Sequence, residues 1–199
     1  MPDSIYGLPL HPLIVHATSV IVPLAALLVI LAVCSPRFRA WAGPLPMGTS
    51  LVALILTPLS TASGENLEEH VADSALVEKH AELGDQLLPF TIALFVFSAA
   101  FWWLDRKRQE LAVEPAPAPA ISDSVPSGST ATLTAPATTR SEAARHAGRL
   151  RTATTVVGVL ALLAAIGTGI QVARIGHSGA KAAWSDAPIG APLTVADRS

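Results

Sequence analysis

The six histidines are the side chains of this 199-residue chain whose type and placement best suit ligand chemistry. Neutral imidazole binds haem iron, zinc and copper, and near neutral pH it also takes up and releases a proton. His11 and His16 open the chain, His70 and His80 fall in its second quarter, and His146 and His177 come in its last third. Five residues apart on a helix, His11 and His16 point about 140° away from each other, so they do not readily share one metal. The remaining repertoire is thin. Cys34 is the single cysteine, which excludes an intrachain disulfide, and no CxxC or Cys/His zinc spacing occurs. No acid–base pair, nucleophile elbow, phosphate-binding loop or HExxH is present, so hydrolase and ATPase chemistry have no residues to stand on. A net charge of −2 with a pI near 6.3 gives no reason to expect a nucleic-acid partner.

What positions these rings is a membrane. Hydrophobic residues make up 51% of the chain and charged residues only 14%, with mean hydropathy +0.49. A soluble domain carries roughly a quarter charged residues, so this chain lacks the means to cover a water-facing surface. Four runs are free of Asp, Glu, Lys and Arg: Leu13–Val33, Leu45–Ala62, Leu87–Leu104 and Thr154–Ala173. A bilayer core of ~30 Å needs about 20 helical residues, and each run is long enough. The first run lacks the basic residues that open a signal peptide, so it is expected to be retained as a span. From Ala112 to Thr139 the composition turns to Pro, Ala, Ser and Thr, which suits a flexible, partly PPII linker. The expected fold is all-α. It is a four-span transmembrane bundle with a three-span segment over 1–111, an acidic outer loop at 64–86, a disordered linker over 112–148, and a fourth span with its tail over 149–199.

Charge orients the bundle. Nine of the thirteen basic residues, from Arg37 and Arg39 to Arg106, Lys107, Arg108, Arg140, Arg145, Arg149 and Arg151, fall on one side of four alternating helices. The positive-inside rule makes that side cytoplasmic. Both termini and the acidic loop then face outward, in a multi-pass inner-membrane arrangement. Five of the six histidines, all but His146, gather at the outer face. His16 falls one turn inside span 1, roughly 6–7 Å below the helix start, where a polar ring is expected to face the bundle interior. His70 and His80 fall on apolar stripes of the outer loop, with its carboxylates between the stripes.

Two histidines on facing helices of a four-helix bundle can hold a haem between them. The leading expectation is therefore a redox or metal-handling membrane subunit, with haem b or a transition metal held by His16 and His80. His70, His11 and His177 serve as further ligands or outer donors. The alternative is a non-enzymatic structural or assembly protein whose histidines are hydrogen-bonded core residues. A transporter is disfavoured, because the spans carry no carboxylate at mid-membrane. Span 4 presents Gly158, Ala161, Ala165 and Gly169 as a small-residue stripe, suited to close helix packing or to a homodimer. Pro23 and Pro58 are expected to kink spans 1 and 2. Trp102, Trp103 and Trp184 are placed as interfacial anchors. The expected partners are the lipid bilayer and a redox or membrane protein.

The segment Leu10-His11-Pro12-Leu13-Ile14-Val15-His16, followed by an apolar helix with Pro23, resembles the opening of the bacterial membrane proteins called domain of unknown function 2231. Ser63-Gly64-Glu65, Glu78-Lys79-His80-Ala81-Glu82-Leu83-Gly84 and Gly176-His177-Ser178-Gly179-Ala180 are similar to later segments of the same family. The resemblance touches all four spans and omits the Pro-rich insert. It implies a small multi-pass inner-membrane protein with no established activity. Some relatives are joined to Rieske-type iron–sulfur domains, which leans toward membrane redox chemistry, but this chain has no Rieske Cys/His motif.

Overall fold

Long apolar segments in lipid must satisfy their backbone groups internally, and a helix does so within one segment. The computed structural model describes residues 4–5, 8–68, 75–113 and 137–184, with side chains over 13–65, 75–111 and 145–181. A short antiparallel pairing of β1 (Ser4–Ile5) with β2 (Leu8–Pro9) leads into α1 (Leu10–Cys34). There follow α2 (Pro36–Ala42), α3 (Leu45–Glu68), α4 (Ala75–Asp85), α5 (Leu87–Val113) and α6 (Ala137–Trp184). Four helical stretches are long and apolar enough to cross a membrane: Leu13–Cys34, Leu45–Glu65, Ala75–Leu111 and Arg145–Lys181. They contain the four apolar runs read from the sequence.

The four spans form a ring in the order α1, α3, α5, α6, each packed on its two neighbours, while the diagonal pair α1 and α5 barely meet. Neighbours run antiparallel, as in an up-down-up-down bundle. Buried positions recur at steps of three and four along each seam. On α5 they are Leu87, Thr91, Leu94, Ser98, Phe101 and Asp105, and on α6 Thr154, Gly158, Ala161, Ala165, Thr168 and Gln171. This spacing is the signature of near-parallel helices that interlock side chains.

The seams are small or hydroxylic, and the outside is greasy. Leu27, Ile55, Val96, Leu163, Ile166 and Ile170 are all exposed, whereas Ser50, Thr57, Thr91 and Thr168 are fully buried. A soluble domain would reverse this. Lipid tails are as apolar as leucine, so burying leucine gains little there, and close backbone approach decides packing instead. The buried hydroxyls are satisfied by their own helices. Thr18 donates to Ile14 O at 2.9 Å, Ser50 to Pro46 O at 2.7 Å, Thr57 to Ala53 O at 2.8 Å and Thr154 to Leu150 O at 2.7 Å.

Two boundaries differ from the composition reading. Helix α3 continues through 64–68 and α4 occupies 75–85, so the stretch read as an outer loop over 64–86 is largely helical. Helix α6 begins at Ala137, upstream of the boundary drawn at 149, while 114–136 lie outside the described residues. Pro23 and Pro58 sit inside α1 and α3, and both helices run on through them.

Helix α2 is too short for the hydropathy pattern to reveal, although its local signals are present. Ser35 is its N-cap, accepting the Phe38 N–H at 3.2 Å, and Pro36 fills the first turn. Gly43, with φ of 54°, ends the helix and donates its N–H to Arg39 O at 3.1 Å. Helix α2 turns Arg39 inward, onto Asp105 of α5.

Candidate functional site at the α4 end of the bundle

Four segments meet at this end: the start of α1, the end of α3, α4, and the last turns of α6. Helix α4 is amphipathic. Leu83 is buried and Val77 and His80 half-buried, while Glu78, Lys79, Glu82 and Asp85 turn toward solvent. Its inner face lies on α6 and is fastened there by two side-chain bonds.

The deeper bond comes from Gln171, which is 1% exposed and whose Nε2 donates to Leu83 O at 2.9 Å. That carbonyl belongs to the last turn of α4, which has no partner within its own helix. One turn below, Thr168 Oγ1 contacts Phe90 O at 3.4 Å while donating to Ala164 O at 2.8 Å.

The outer bond is His80 Nδ1 to Ser178 Oγ, at 3.0 Å. Ser178 spends its one hydroxyl proton on Ile175 O, 2.9 Å away. With that proton so used, Ser178 Oγ accepts from Nδ1 in the tautomer that carries its hydrogen there. The imidazole lies directly on Gly179, where a Cβ would come within 3.0 Å of His80 Cε1. A side chain at this position would press on the ring, which would have to shift by a few tenths of an ångström.

Beside this contact, α4 and α6 bound an open groove of about 310 Å³. Leu76, Lys79 and Leu83 line it from α4, and Arg174, His177, Ser178 and Lys181 line it from α6. Lys79 Nζ is 2.7 Å from Glu82 Oε2 in an exposed pair, and Arg174 reaches Gln171 Oε1 at 3.3 Å.

The histidines read from the sequence are distributed unevenly. His80 and His177 come to the α4–α6 contact, His80 half-buried and His177 exposed in the groove. The expectation that His16 faces the interior is corrected. His16 is exposed. At about 100° per residue it lies some 180–240° round α1 from Thr18, Val22, Ala25 and Val29, the buried stripe. The bundle does not bring His16 and His80 together across its interior. His70, and the side chain of His11, lie outside the described residues. Among the described residues, no group of three or more His, Cys, Asp and Glu is disposed to hold a metal ion.

Sequence reasoning missed Gln171, Ser178 as the partner of His80, and the Arg39–Asp105 pair. The first two were within reach as polar side chains on the seam spacing of α6. Of the expected small-residue stripe, Gly158, Ala161 and Ala165 are buried, but a Cβ at Gly169 would meet nothing within 4 Å. Gly167 is the one packed closely against Phe90, whose Cε1 would lie 3.1 Å from an added Cβ.

The fold and its inverted surface define a multi-pass, all-α membrane protein with an amphipathic helix fastened over one end. The chain belongs to the DUF2231 family, described as a predicted membrane protein, whose family model matches residues 7–126. The match takes in α1 to α5 and stops before α6, so the similarity read at Gly176–Ala180 lies beyond it. Neither the curated proteins nor the solved structures compared with the chain provide a match.

Proposed function

We propose that this is a non-enzymatic structural protein of the inner membrane, with the α2 end in the cytoplasm and the α4 end and both termini outside. In this reading α4 is a cap that closes the outer end of the bundle. The observation that carries it is the use made of the polar groups. The His80 imidazole and the Gln171 amide at the α4–α6 contact are engaged in holding helices together, and every buried side-chain N or O among the described residues has a hydrogen-bond partner. Side-chain hydrogen bonds between helices hold a membrane bundle together, and the bonds of Gln171 and His80 are of that kind. Orientation draws on the basic residues, since Arg37, Arg39, Arg106, Lys107, Arg108, Arg145, Arg149 and Arg151 collect at the α2 end and only Lys79, Arg174 and Lys181 among the described residues at the other.

The test is purification in detergent with a reduced-minus-oxidised spectrum and metal analysis, on wild type and His80→Ala. The structural reading expects a colourless wild type and a variant that melts at lower temperature. A haem band or stoichiometric metal in the wild type that His80→Ala removes would overturn it in favour of the redox reading.

A further inference from the structure

We infer that the groove between α4 and α6 is a binding site for an anionic glycerophospholipid, whose phosphate sits among Arg174, His177 and Lys181. Three features of the groove converge on this ligand.

The first is unbalanced charge. Among the described residues, the ion pairs are Arg39–Asp105, Lys79–Glu82 and Arg106–Glu110. Arg174 and Lys181 thus face the groove with no carboxylate partner among those residues, and Lys79 adds a third cation whose charge Glu82 offsets. The second is spacing. Arg174, His177, Ser178 and Lys181 fall at i, i+3, i+4 and i+7, so they form one stripe about 10 Å long on α6. Arg174 commits one nitrogen to Gln171 Oε1, and the rest of its planar fork is available for phosphate oxygens.

The third feature separates a lipid from a free anion. The cationic stripe continues a lipid-facing apolar one. Leu163, Ile166 and Ile170 are exposed on α6, and steps of three and four carry their face directly into Arg174, His177 and Lys181. Leu76 and Leu83 line the groove on the α4 side. A ligand matching this surface has a negative head at the end of the span and an acyl chain along the helix below it. Basic pockets between transmembrane helices recognise phospholipid head groups in this way.

The full chain in detergent is titrated with dioleoyl phosphatidylglycerol, dioleoyl phosphatidylcholine or inorganic phosphate, and its thermal unfolding is followed. The expected result is stabilisation by phosphatidylglycerol alone. Arg174→Gln and Lys181→Gln should each raise the half-saturating lipid concentration by about fivefold, and Lys181→Gln, which breaks no bond to Gln171, should leave the lipid-free melting temperature in place. Arg145→Gln, at the opposite end of α6, should leave the titration unchanged. Equal effects of the two lipids, an equal effect of phosphate, or a phosphatidylglycerol response untouched by Arg174→Gln and Lys181→Gln would each overturn the assignment. None of these readouts depends on whether His80 holds a cofactor.

Discussion

Arg39 Nε lies 3.1 Å from Asp105 Oδ2, and this pair joins three helices at the α2 end. Asp105 is 7% exposed, with Gln109 Nε2 also donating to Oδ2 at 2.7 Å. Arg39 donates to Ala32 O at 3.2 Å, satisfying a carbonyl in the last turn of α1. Its guanidinium stands 5.2 Å from the centre of the Phe101 ring, which in turn presses on Gly158 of α6. Removing Arg39 leaves the buried Asp105 charge without compensation, at a cost of up to about 3–5 kcal/mol, while removing Asp105 strands the half-buried Arg39 at a smaller cost. Asp105→Ala and Arg39→Ala should therefore each lower the melting temperature in detergent, and the double variant should lose clearly less than their sum. Strict additivity would show that the two residues do not act together.

The close packing of α5 on α6 makes a second prediction. A Cβ at Gly158 would meet Phe101 Cε2 at 3.1 Å, and Phe101 also lies against the Arg39 guanidinium. Gly158→Val should overpack this seam and cost about 1–3 kcal/mol. Gly169 lies on the same helix with nothing within 4 Å of an added Cβ. Gly169→Ala should be neutral, or stabilise by up to about 1 kcal/mol through helix propensity. Thermal melts of the two variants side by side check the contrast.

Hydropathy suffices to locate the spans, because a run of about 20 apolar residues has few other uses in a chain this poor in charge. It is blind to the seams. Their buried members, such as Ser50, Thr57, Thr91, Gly158 and Thr168, are small or hydroxylic and leave no apolar stripe to follow. Depth along the helix alone points His16 inward, whereas its phase points it outward. The spacing against Val22, Ala25 and Val29 already sets it on the far side of α1. The contacts of Gln171 with Leu83 and of His80 with Ser178 join residues 88 and 98 positions apart, and no local pattern encodes such pairings. Arg39 reads as a topological charge when only the sign is counted, although Ser35-Pro36 and Gly43 mark the short helix that aims it inward.

Gln171 offers a prediction about local stability. Its bond to Leu83 O satisfies the C-terminal turn of α4, so Gln171→Leu leaves a buried carbonyl unpaired at a cost of about 1–3 kcal/mol. The loss should be felt where the bond acts. Hydrogen exchange should accelerate across Ala75–Asp85 more than across the seam of α1 and α3. Uniform acceleration through all four spans would mean that Gln171 supports the whole bundle and not the cap.

The orientation proposed for the bundle is open to a labelling test. Cys34 is the single cysteine and is exposed, so Cys34→Ser gives a background without thiols. Glu78 on α4 and Arg145 on α6 are exposed at opposite ends of the bundle. In the proposed orientation, which rests on the resistance of the basic α2 end to translocation, Arg145 is cytoplasmic and Glu78 outside. A membrane-impermeant maleimide added to intact cells should therefore label Glu78→Cys at once and Arg145→Cys only after lysis. The reverse pattern would invert the topology and put the cationic groove of α4 and α6 in the cytoplasmic leaflet. The groove's own chemistry would survive that inversion, since phosphate recognition by Arg174 and Lys181 depends on the end of the span and not on which side of the membrane it faces.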